Sequence, residues 1–269
     1  MFNQIWNTMS TIIYKNSNVS YTVTGNGPAV VLLHGFLENI SMWNELIPHL
    51  AKKNQVICID LPGHGKTDNL GYIHSMEDQA EMVKFVLDKL NIKKVTFIGH
   101  SMGGYVALAF AEACPDQMKG LCLLNSTALP DEEDKKLNRD RSISAIKQYP
   151  DTFVKLAIPN LFSEENKTRF RSEIEALTKE ALKTSQQGII AALEGMKIRK
   201  DRTFIFKNAD YPIMMIISKK DPALDVKSLY DQLHGTNVMI HEFPDGHMSY
   251  IENYPGIIRV LTDFCEKCE

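Results

Sequence analysis

An apolar run that leads directly into a helical pattern, with a serine at the junction, constrains this chain more than any other feature. Residues 94–98 are mostly apolar and β-branched, which is typical of a strand buried on both faces of a parallel sheet. After Gly104, apolar residues recur at helical spacing as far as Pro115. The intervening residues 99–103, Gly-His-Ser-Met-Gly, match the G-x-S-x-G pattern of a nucleophile elbow. We therefore expect Ser101 on a tight, glycine-lined turn beside a helix N-terminus, which favours developing negative charge.

Candidate partners for Ser101 follow two other strand-like runs. A serine hydroxyl is a weak nucleophile until a base removes its proton. His247 is the best candidate for that base, because it follows the apolar segment 238–243 in a Pro-Asp-Gly turn. The base needs a carboxylate to fix its tautomer, and Asp221 follows the strand-like residues 212–218. All three side chains would then lie at strand ends, where loops can meet.

Other assignments stay open at these positions. Ser101 could be an ordinary turn residue, and His247 could be a solvated loop residue. Asp225 or Asp245 could supply the carboxylate, although Asp225 begins a predicted helix as its N-cap and Asp245 would have to fold back onto His247. His241, Asp245 and His247 could in principle bind a metal. No H-E-x-x-H or paired C-x-x-C pattern supports such a site, so we expect neither a metal nor a cofactor.

A loop after an earlier strand is the candidate for oxyanion stabilisation. Negative charge that develops on a reacting carbonyl oxygen needs preorganised N–H donors. One donor is expected to be the backbone N–H of Met102, the residue after the candidate nucleophile. We assign the second to Phe36, because the strand-like residues 30–33 end in His-Gly-Phe. The Phe36 ring would also form a wall of the acyl pocket. A plain strand-end turn is the alternative interpretation of the His-Gly pair.

Taken together, these motifs resemble the α/β-hydrolase fold family, most closely its single-domain serine esterase and haloperoxidase-like branch. The chain order Ser, Asp, His is the one that this family uses. The motifs extend from residue 30 to residue 248, so the resemblance covers nearly the whole chain. They are HGF at 34–36, DLPGHG at 60–65, GHSMGG at 99–104, KDP at 220–222 and GH at 246–247.

The resemblance implies both a fold and a site. The fold is an α/β architecture with a mostly parallel eight-stranded sheet, helices on both faces and a helical lid inserted after strand six. The implied catalytic triad is Ser101, Asp221 and His247. The amides of Phe36 and Met102 are implied as the oxyanion hole.

The alternation of strand and helix, as in a doubly wound sheet, stops after residue 125. No strand pattern recurs until Pro212. We therefore expect a helical lid over 126–208 and a hydrolase core made of 1–125 and 209–269. Leu161 and Met196 could line a substrate pocket or belong to the plain core. The residues to which we assign substrate binding are Leu37, Tyr105, Phe162 and Met248.

Differences from some family variants narrow the interpretation. Haloalkane dehalogenases and epoxide hydrolases use an aspartate nucleophile, so Ser101 argues against both. Some members place the acid after the sixth strand. Here residues 121–124 are followed by Asn125 and Ser126, which leaves Asp221 as the favoured acid.

The resemblance implies a serine hydrolase that cleaves a small to medium, largely apolar carboxylic ester through an acyl-enzyme. An apolar substrate is expected because the predicted lid and elbow offer Phe, Met, Tyr and Leu. A carbon–carbon hydrolase, a lyase or a perhydrolase shares the triad and would need polar groups aimed at a carboxylate. Arg139, Arg141 and Arg169 are available for that purpose. A ligand-binding receptor on a hydrolase scaffold is the alternative from a different class.

Capping signals predict where two helices begin. Residues 43–50 carry apolar side chains at helical spacing, and Ser41 precedes them as the expected N-cap. Ser75 opens a second helix in capping-box style, which is expected to run to Leu90. His100, beside an elbow glycine, is expected to shape a loop rather than to take part in catalysis.

Composition narrows the classes of partner. The chain has 269 residues and a net charge of −3, which favours a globular protein with a small-molecule substrate and argues against nucleic-acid binding. Apolar runs are strand-sized and no signal-peptide pattern is present, so we expect no membrane association. Five cysteines, including the pair Cys265 and Cys268, lack a second metal or redox motif and favour a cytoplasmic location. Met1 or Met9 could be the start, and the oligomeric state is left open.

Overall fold

A central sheet of eight strands organises the molecule. The structure is a computed structural model that describes residues 9–268. The question of whether Met1 or Met9 begins the chain concerns residues 1–8, which lie outside the described residues. In chain order the strands are β1 Met9–Tyr14, β2 Ser17–Thr24, β3 Ala29–Leu33, β4 Gln55–Ile59, β5 Val95–His100, β6 Met118–Leu124, β7 Ile213–Ser218 and β8 Met239–Phe243.

Strand order explains where a site can form. The strands lie in the order β1-β2-β4-β3-β5-β6-β7-β8. The pairs β1–β2 and β2–β4 are antiparallel, and every other neighbouring pair is parallel. The predicted mostly parallel, eight-stranded sheet is therefore confirmed. The chain passes from β3 to β4 on one side of β3, and from β5 to β6 on the opposite side. The loops after the neighbouring strands β3 and β5 therefore diverge. Such a switch point is where open α/β sheets bind ligands.

Helices cover both faces of the sheet, as predicted. Buried residues fall into two hydrophobic clusters, and side chains of β3 alternate between them: Val31 points into one and Leu32 into the other. The first cluster holds α2 and α3, and the second holds α1 and α11. The α-helices are α1 Ile47–Leu50, α2 Met76–Lys89, α3 Met102–Ala113, α4 Glu133–Gln148, α5 Pro150–Ala157, α6 Arg171–Ala181, α7 Gln186–Lys197, α8 Ile205–Asn208, α9 Val226–Asp231, α10 Ser249–Glu252 and α11 Tyr254–Lys267.

The helix predicted over residues 43–50 has a different extent and a different N-cap in the structure. Instead of a continuous helix over 43–50, the chain forms a 3₁₀ turn at Ile40–Trp43, capped by the side chain of Asn39 rather than Ser41, and then the short α1. Pro48 explains the break, because its ring would clash with the carbonyl of residue 44 in a helix that began at residue 43. The predicted cap of α2 is confirmed, since the Ser75 hydroxyl accepts a hydrogen bond from the Asp78 amide.

The segment between β6 and β7, residues 125–212, contains five α-helices, α4 to α8, and we call residues 126–208 the inserted segment. It is joined to the core by polar and close-packed contacts. The buried guanidinium of Arg202 bridges Glu77 and Glu112 on the core helices α2 and α3. Gly195 of α7 packs against the core loop so closely that a Cβ there would lie 1.7 Å from the carbonyl oxygen of His74.

The contact at Gly195 generates the first testable prediction. We expect Gly195→Ala to lower the free energy of unfolding by about 1–3 kcal/mol, because the added methyl group must displace backbone. Alanine's better helix propensity, worth about 1 kcal/mol, opposes this effect and should be outweighed. Urea unfolding measures the change, with Ser172→Ala on the exposed surface of α6 as the control. A Gly195→Ala protein as stable as the wild type would contradict this close approach.

Candidate active site

The sharp turn at Ser101 lies between β5 and α3, as the sequence predicts. Its backbone has φ +49° and ψ −115°, a conformation that a residue with a side chain rarely adopts. Three hydrogen bonds hold it there. The Ser101 amide donates to the Leu124 carbonyl at 3.0 Å, and its carbonyl accepts from the Gly104 amide and the Ser126 hydroxyl. The surrounding fold therefore maintains the strain and keeps the hydroxyl partly exposed at the turn.

Glycines around this turn are required for close packing. A Cβ at Gly103 would lie 2.2 Å from the carbonyl oxygen of Leu33, at the end of β3. A Cβ at Gly99 would lie 2.5 Å from the backbone of Gly103. Contacts of this length cannot be accommodated without moving backbone. The glycines that the motif supplies thus let the elbow pack directly against the neighbouring strand end.

Asp221 and His247 are brought together across two loops. Oδ2 of Asp221 lies 2.7 Å from Nδ1 of His247, and both side chains are buried. Burial raises the pKa of the Asp221 carboxyl, but the His247 ring and several N–H donors outweigh it, so that the pKa lies below its usual range. Because an ionised carboxylate only accepts hydrogen bonds, Nδ1 of His247 carries the proton. Nε2 is then the basic nitrogen.

The other candidate acids have different partners. Asp225 accepts a hydrogen bond from the Ser228 amide and caps α9, which confirms its predicted role as an N-cap. Asp245 accepts from the side chain of Asn253. Asp221 also receives the Asn125 side-chain amide at 3.2 Å, and its Oδ1 accepts from the amides of residues 223 and 224. The carboxylate beside His247 is thus held by four donors from three segments of the chain.

The loop with the candidate oxyanion donor Phe36 lies against the elbow. A Cβ built at Gly35 would lie 3.2 Å from the Cβ of Ser101. Met102, the other candidate donor, is the first residue of α3. The two backbone segments that carry the predicted donors therefore flank the serine.

A cavity of about 140 Å³ contains both Ser101 and His247 on its wall. Of the predicted substrate-binding residues, Tyr105 lines it, together with Phe36 and two residues of the inserted segment, Leu161 and Met196. Its wall does not include Leu37, Phe162 or Met248, which are buried in the two hydrophobic clusters. These three residues therefore contribute to the packing around the cavity rather than to its wall.

The cavity is less apolar than the sequence suggests. Arg139 and Lys135 of α4 form part of its wall. Arg141, on the same helix, is exposed and donates to Asn138. Arg169 is also exposed, with its guanidinium 4.9 Å from the ring centre of Phe170. Of the three arginines considered from the sequence, only Arg139 reaches the cavity.

Glu38 joins the loops of the site, and sequence reasoning assigned it no role. It is buried, and its Oε2 accepts from the Gly35 amide and from Nδ1 of His100, both at 2.7 Å. Its Oε1 accepts from the Tyr250 hydroxyl at 2.9 Å. Nε2 of His100 lies 3.1 Å from the carbonyl oxygen of His247. Because both partners of the His100 ring accept hydrogen bonds, both ring nitrogens carry protons and the ring is an imidazolium.

Glu38 and His100, which are both buried, each stabilise the charged form of the other. Burial lowers the pKa of His100, but the Glu38 carboxylate outweighs it and raises the pKa above its ordinary value of 6.5. Burial likewise raises the pKa of Glu38, but His100 outweighs it and holds the pKa below its ordinary value of 4.5. No local sequence pattern identifies Glu38, because its partners come from the loop after β3, from β5 and from α10. His100 does shape a loop, as expected, through an ion pair.

Within residues 9–268, no group of three or more His, Cys, Asp or Glu side chains is placed to hold a metal ion. The described part of the chain also lacks a helix long and apolar enough to cross a membrane. The thiols of Cys58, Cys114, Cys122 and Cys268 are free, and Cys265 and Cys268 are buried at the end of α11.

The Glu38–His100 pair predicts a pH-dependent contribution to stability. Because the pKa of His100 is raised in the folded protein, protonated His100 stabilises the fold below about pH 6.5, and this contribution is lost as pH rises through the folded-state pKa. Because the pKa of Glu38 is lowered in the folded protein, ionised Glu38 stabilises the fold above about pH 4.5. We expect Glu38→Gln to lower the free energy of unfolding by about 3 kcal/mol between these values, and by less at alkaline pH. Denaturant unfolding across pH measures this, with the exposed Glu45→Gln as the control. A loss of unfolding free energy in Glu38→Gln that is the same at every pH would contradict a charged Glu38–His100 pair.

Comparison with known proteins identifies the family. A family model described as alpha/beta hydrolase fold matches residues 28–254. An uncharacterized protein of Mycobacterium tuberculosis is 36% identical over 107 residues, which cover 40% of this chain and only 31% of that relative. A monoacylglycerol lipase of Rattus norvegicus is 26% identical over 252 residues, 85% of this chain and 70% of the relative. A thermophilic esterase from Thermogutta terrifontis superposes with a TM-score of 0.86 at 25% identity, covering 99% of each chain. This chain therefore belongs to the alpha/beta hydrolase fold family.

Proposed function

We propose that this protein is a serine hydrolase that cleaves a small to medium, largely apolar carboxylic ester in two steps. The observation that carries the proposal is the 2.7 Å contact between Asp221 and Nδ1 of His247, on the wall of the cavity that also holds Ser101. A base with a fixed tautomer and a serine on a strained turn are what an activated nucleophile requires.

In the first step, Oγ of Ser101 attacks the ester carbonyl carbon while Nε2 of His247 takes the hydroxyl proton. The carbonyl π electrons move to the oxygen, and the backbone N–H groups of Phe36 and Met102 stabilise the resulting oxyanion. As the tetrahedral intermediate collapses, the bond to the alcohol oxygen breaks and His247 gives that oxygen its proton. Asp221 stays ionised throughout and stabilises the imidazolium.

In the second step, water replaces the alcohol. Nε2 of His247 takes a proton from water, whose oxygen attacks the acyl carbon of the ester formed on Ser101. The bond to Oγ then breaks, His247 returns the proton to Ser101, and the carboxylic acid leaves. The same oxyanion donors serve both steps, because the charge develops on the same carbonyl oxygen.

The size of the substrate, the role of the inserted segment and the cellular compartment form the rest of the proposal. A cavity of about 140 Å³ with Phe36, Tyr105, Leu161 and Met196 on its wall suits a short apolar chain. We propose that the inserted segment is a lid over this cavity, because it contributes α4 and Leu161 to the wall. An esterase and a lipase among the similar proteins support ester hydrolysis. The free thiols of Cys58, Cys114 and Cys122 support a reducing compartment such as the cytoplasm. The size of the cavity supports a small molecule as the partner.

Active-site labelling tests the activated serine directly. We expect a fluorophosphonate probe to modify the protein stoichiometrically at Ser101, located by mass spectrometry, and Ser101→Ala to remain unlabelled. Steady ester turnover by the purified protein alone would distinguish an enzyme from a receptor on the same scaffold. Folded wild-type protein that is neither labelled nor active on an ester panel would overturn the proposal.

Substitution of the three aspartates tests the assigned acid. We expect Asp221→Asn to lower kcat by about four orders of magnitude, since an amide beside Nδ1 favours the wrong tautomer of His247. Asp225→Asn and Asp245→Asn are the matched controls and should retain most of the activity. Near-full activity in Asp221→Asn, with a large loss in either control, would show that the acid is assigned wrongly.

A further inference from the structure

Positive charge on one wall of the catalytic cavity exceeds what neighbouring carboxylates neutralise. Lys135 and Arg139 line the cavity from α4, and Arg199 lies behind them with its guanidinium 4.2 Å from the ring centre of Tyr105. Among residues 9–268, Asp131 is the only carboxylate in ion-pair contact with these three cations. A cluster of three positive charges and one negative charge is therefore placed beside the nucleophile.

The guanidinium of Arg139 is held in place with one edge free. Its Nε and Nη2 donate to the two carboxylate oxygens of Asp131, whose side chain is fully buried. Arg199 donates to the same carboxylate and to the carbonyl of Met196, which fixes Asp131 in turn. Burial raises the pKa of Asp131, but the two arginines outweigh it and hold the pKa below its usual range. Nη1 of Arg139 has no hydrogen-bond partner in the described part of the chain.

Lys135 lies one helical turn before Arg139, so both side chains project from the same face of α4. Its Nζ donates to the carbonyl of Ala223 at 3.0 Å, in the loop that follows Asp221. This contact places an ammonium group at the cavity wall without a carboxylate partner in residues 9–268. Apart from the proposed catalytic side chains and the ion-paired Glu38 and His100, the remaining wall is largely apolar, which strengthens any interaction with an entering anion.

We propose that Arg139 and Lys135 bind a carboxylate carried by the substrate, a few bonds from its scissile carbonyl. This inference rests on the proposed ester hydrolysis at Ser101. The substrate is then an ester with an apolar chain and one negative charge. Arg139 offers N–H donors in a planar array that suits a carboxylate, and its pairing with Asp131 means that little side-chain freedom is lost on binding. Binding at the Arg139 edge fixes the distance between the charge and Ser101, and so selects chain length.

Two pairs of esters, matched in chain length, test the inference. Monoethyl glutarate against ethyl valerate places the carboxylate in the acid portion. Potassium 4-acetoxybutanoate against butyl acetate places it in the alcohol portion. In at least one pair we expect kcat/KM to be about tenfold or more higher for the charged member, as a charge-assisted hydrogen bond would provide. Added salt should reduce the preference, because ions screen the attraction.

Substitutions in α4 test which side chains cause the preference for the charged ester. Arg139→Met should lower the ratio of charged to neutral kcat/KM by about tenfold or more, chiefly through KM for the charged ester. Arg141→Met, an exposed arginine on the same helix, should leave that ratio unchanged. Because Arg139→Met leaves Asp131 with only one partner and could impair folding, Lys135→Met provides a second measurement and should lower the ratio in the same direction.

The outcomes separate this inference from the function on which it rests. Fluorophosphonate labelling at Ser101 with no preference for the charged ester in either pair overturns the carboxylate site and leaves ester hydrolysis standing. A preference that survives both Arg139→Met and Lys135→Met also overturns the site. Absence of labelling and of turnover for every ester overturns the proposed function itself.

Discussion

The buried carboxylate of Glu38 connects the three loops that form the candidate active site. It accepts the amide of Gly35 from the loop after β3, the ring of His100 at the end of β5, and the hydroxyl of Tyr250 on α10. His100 continues the chain of hydrogen bonds to the carbonyl of His247. A buried charge is costly unless it is paired and fully hydrogen-bonded, so each of these loops is held in position by the energy that would be lost if it moved.

The same edge of the sheet concentrates backbone strain. Leu37, Ser101 and Asn125 have φ of +63°, +49° and +47°, and they follow three adjacent strands, β3, β5 and β6. Such conformations cost of order 1–3 kcal/mol each and persist only where the surroundings determine them. Leu37 precedes Glu38, and Asn125 donates to Asp221. Strain and hydrogen bonding are therefore coupled, because the unusual turns aim the polar groups that the buried network then holds.

Periodicity and turn residues were sufficient to predict the strand before Ser101, the elbow at Ser101 and the cap at Ser75, because each depends on neighbours in the sequence. The eight-stranded, mostly parallel sheet was predicted from the family resemblance. The predicted helix over 43–50 failed for a local reason as well, the proline at 48, which the apolar spacing concealed. Glu38 could not be placed from the sequence, since His100 and Tyr250 are distant along the chain. Arg139 could not be placed at the cavity, since Ser101 and His247 on the same wall come from distant segments. Leu37 and Met248 illustrate the same limit, because adjacency to a motif does not decide whether a side chain faces a cavity or the core. Phe162 shows that a place in the predicted lid does not decide it either.

The inserted segment contributes to both parts of the proposed chemistry. Its helix α4 carries Arg139 and Lys135, the proposed contacts for the charged end of the substrate. Its Leu161 carbonyl accepts the backbone amide of His247 at 2.8 Å, while His100 lies at the carbonyl of the same residue. The backbone of His247 is thus held by the inserted segment on one side and by the Glu38 network on the other. Movement of the segment would displace the proposed substrate-binding cations and the proposed catalytic base together, so under the proposed function substrate selection and catalysis depend on one structural element.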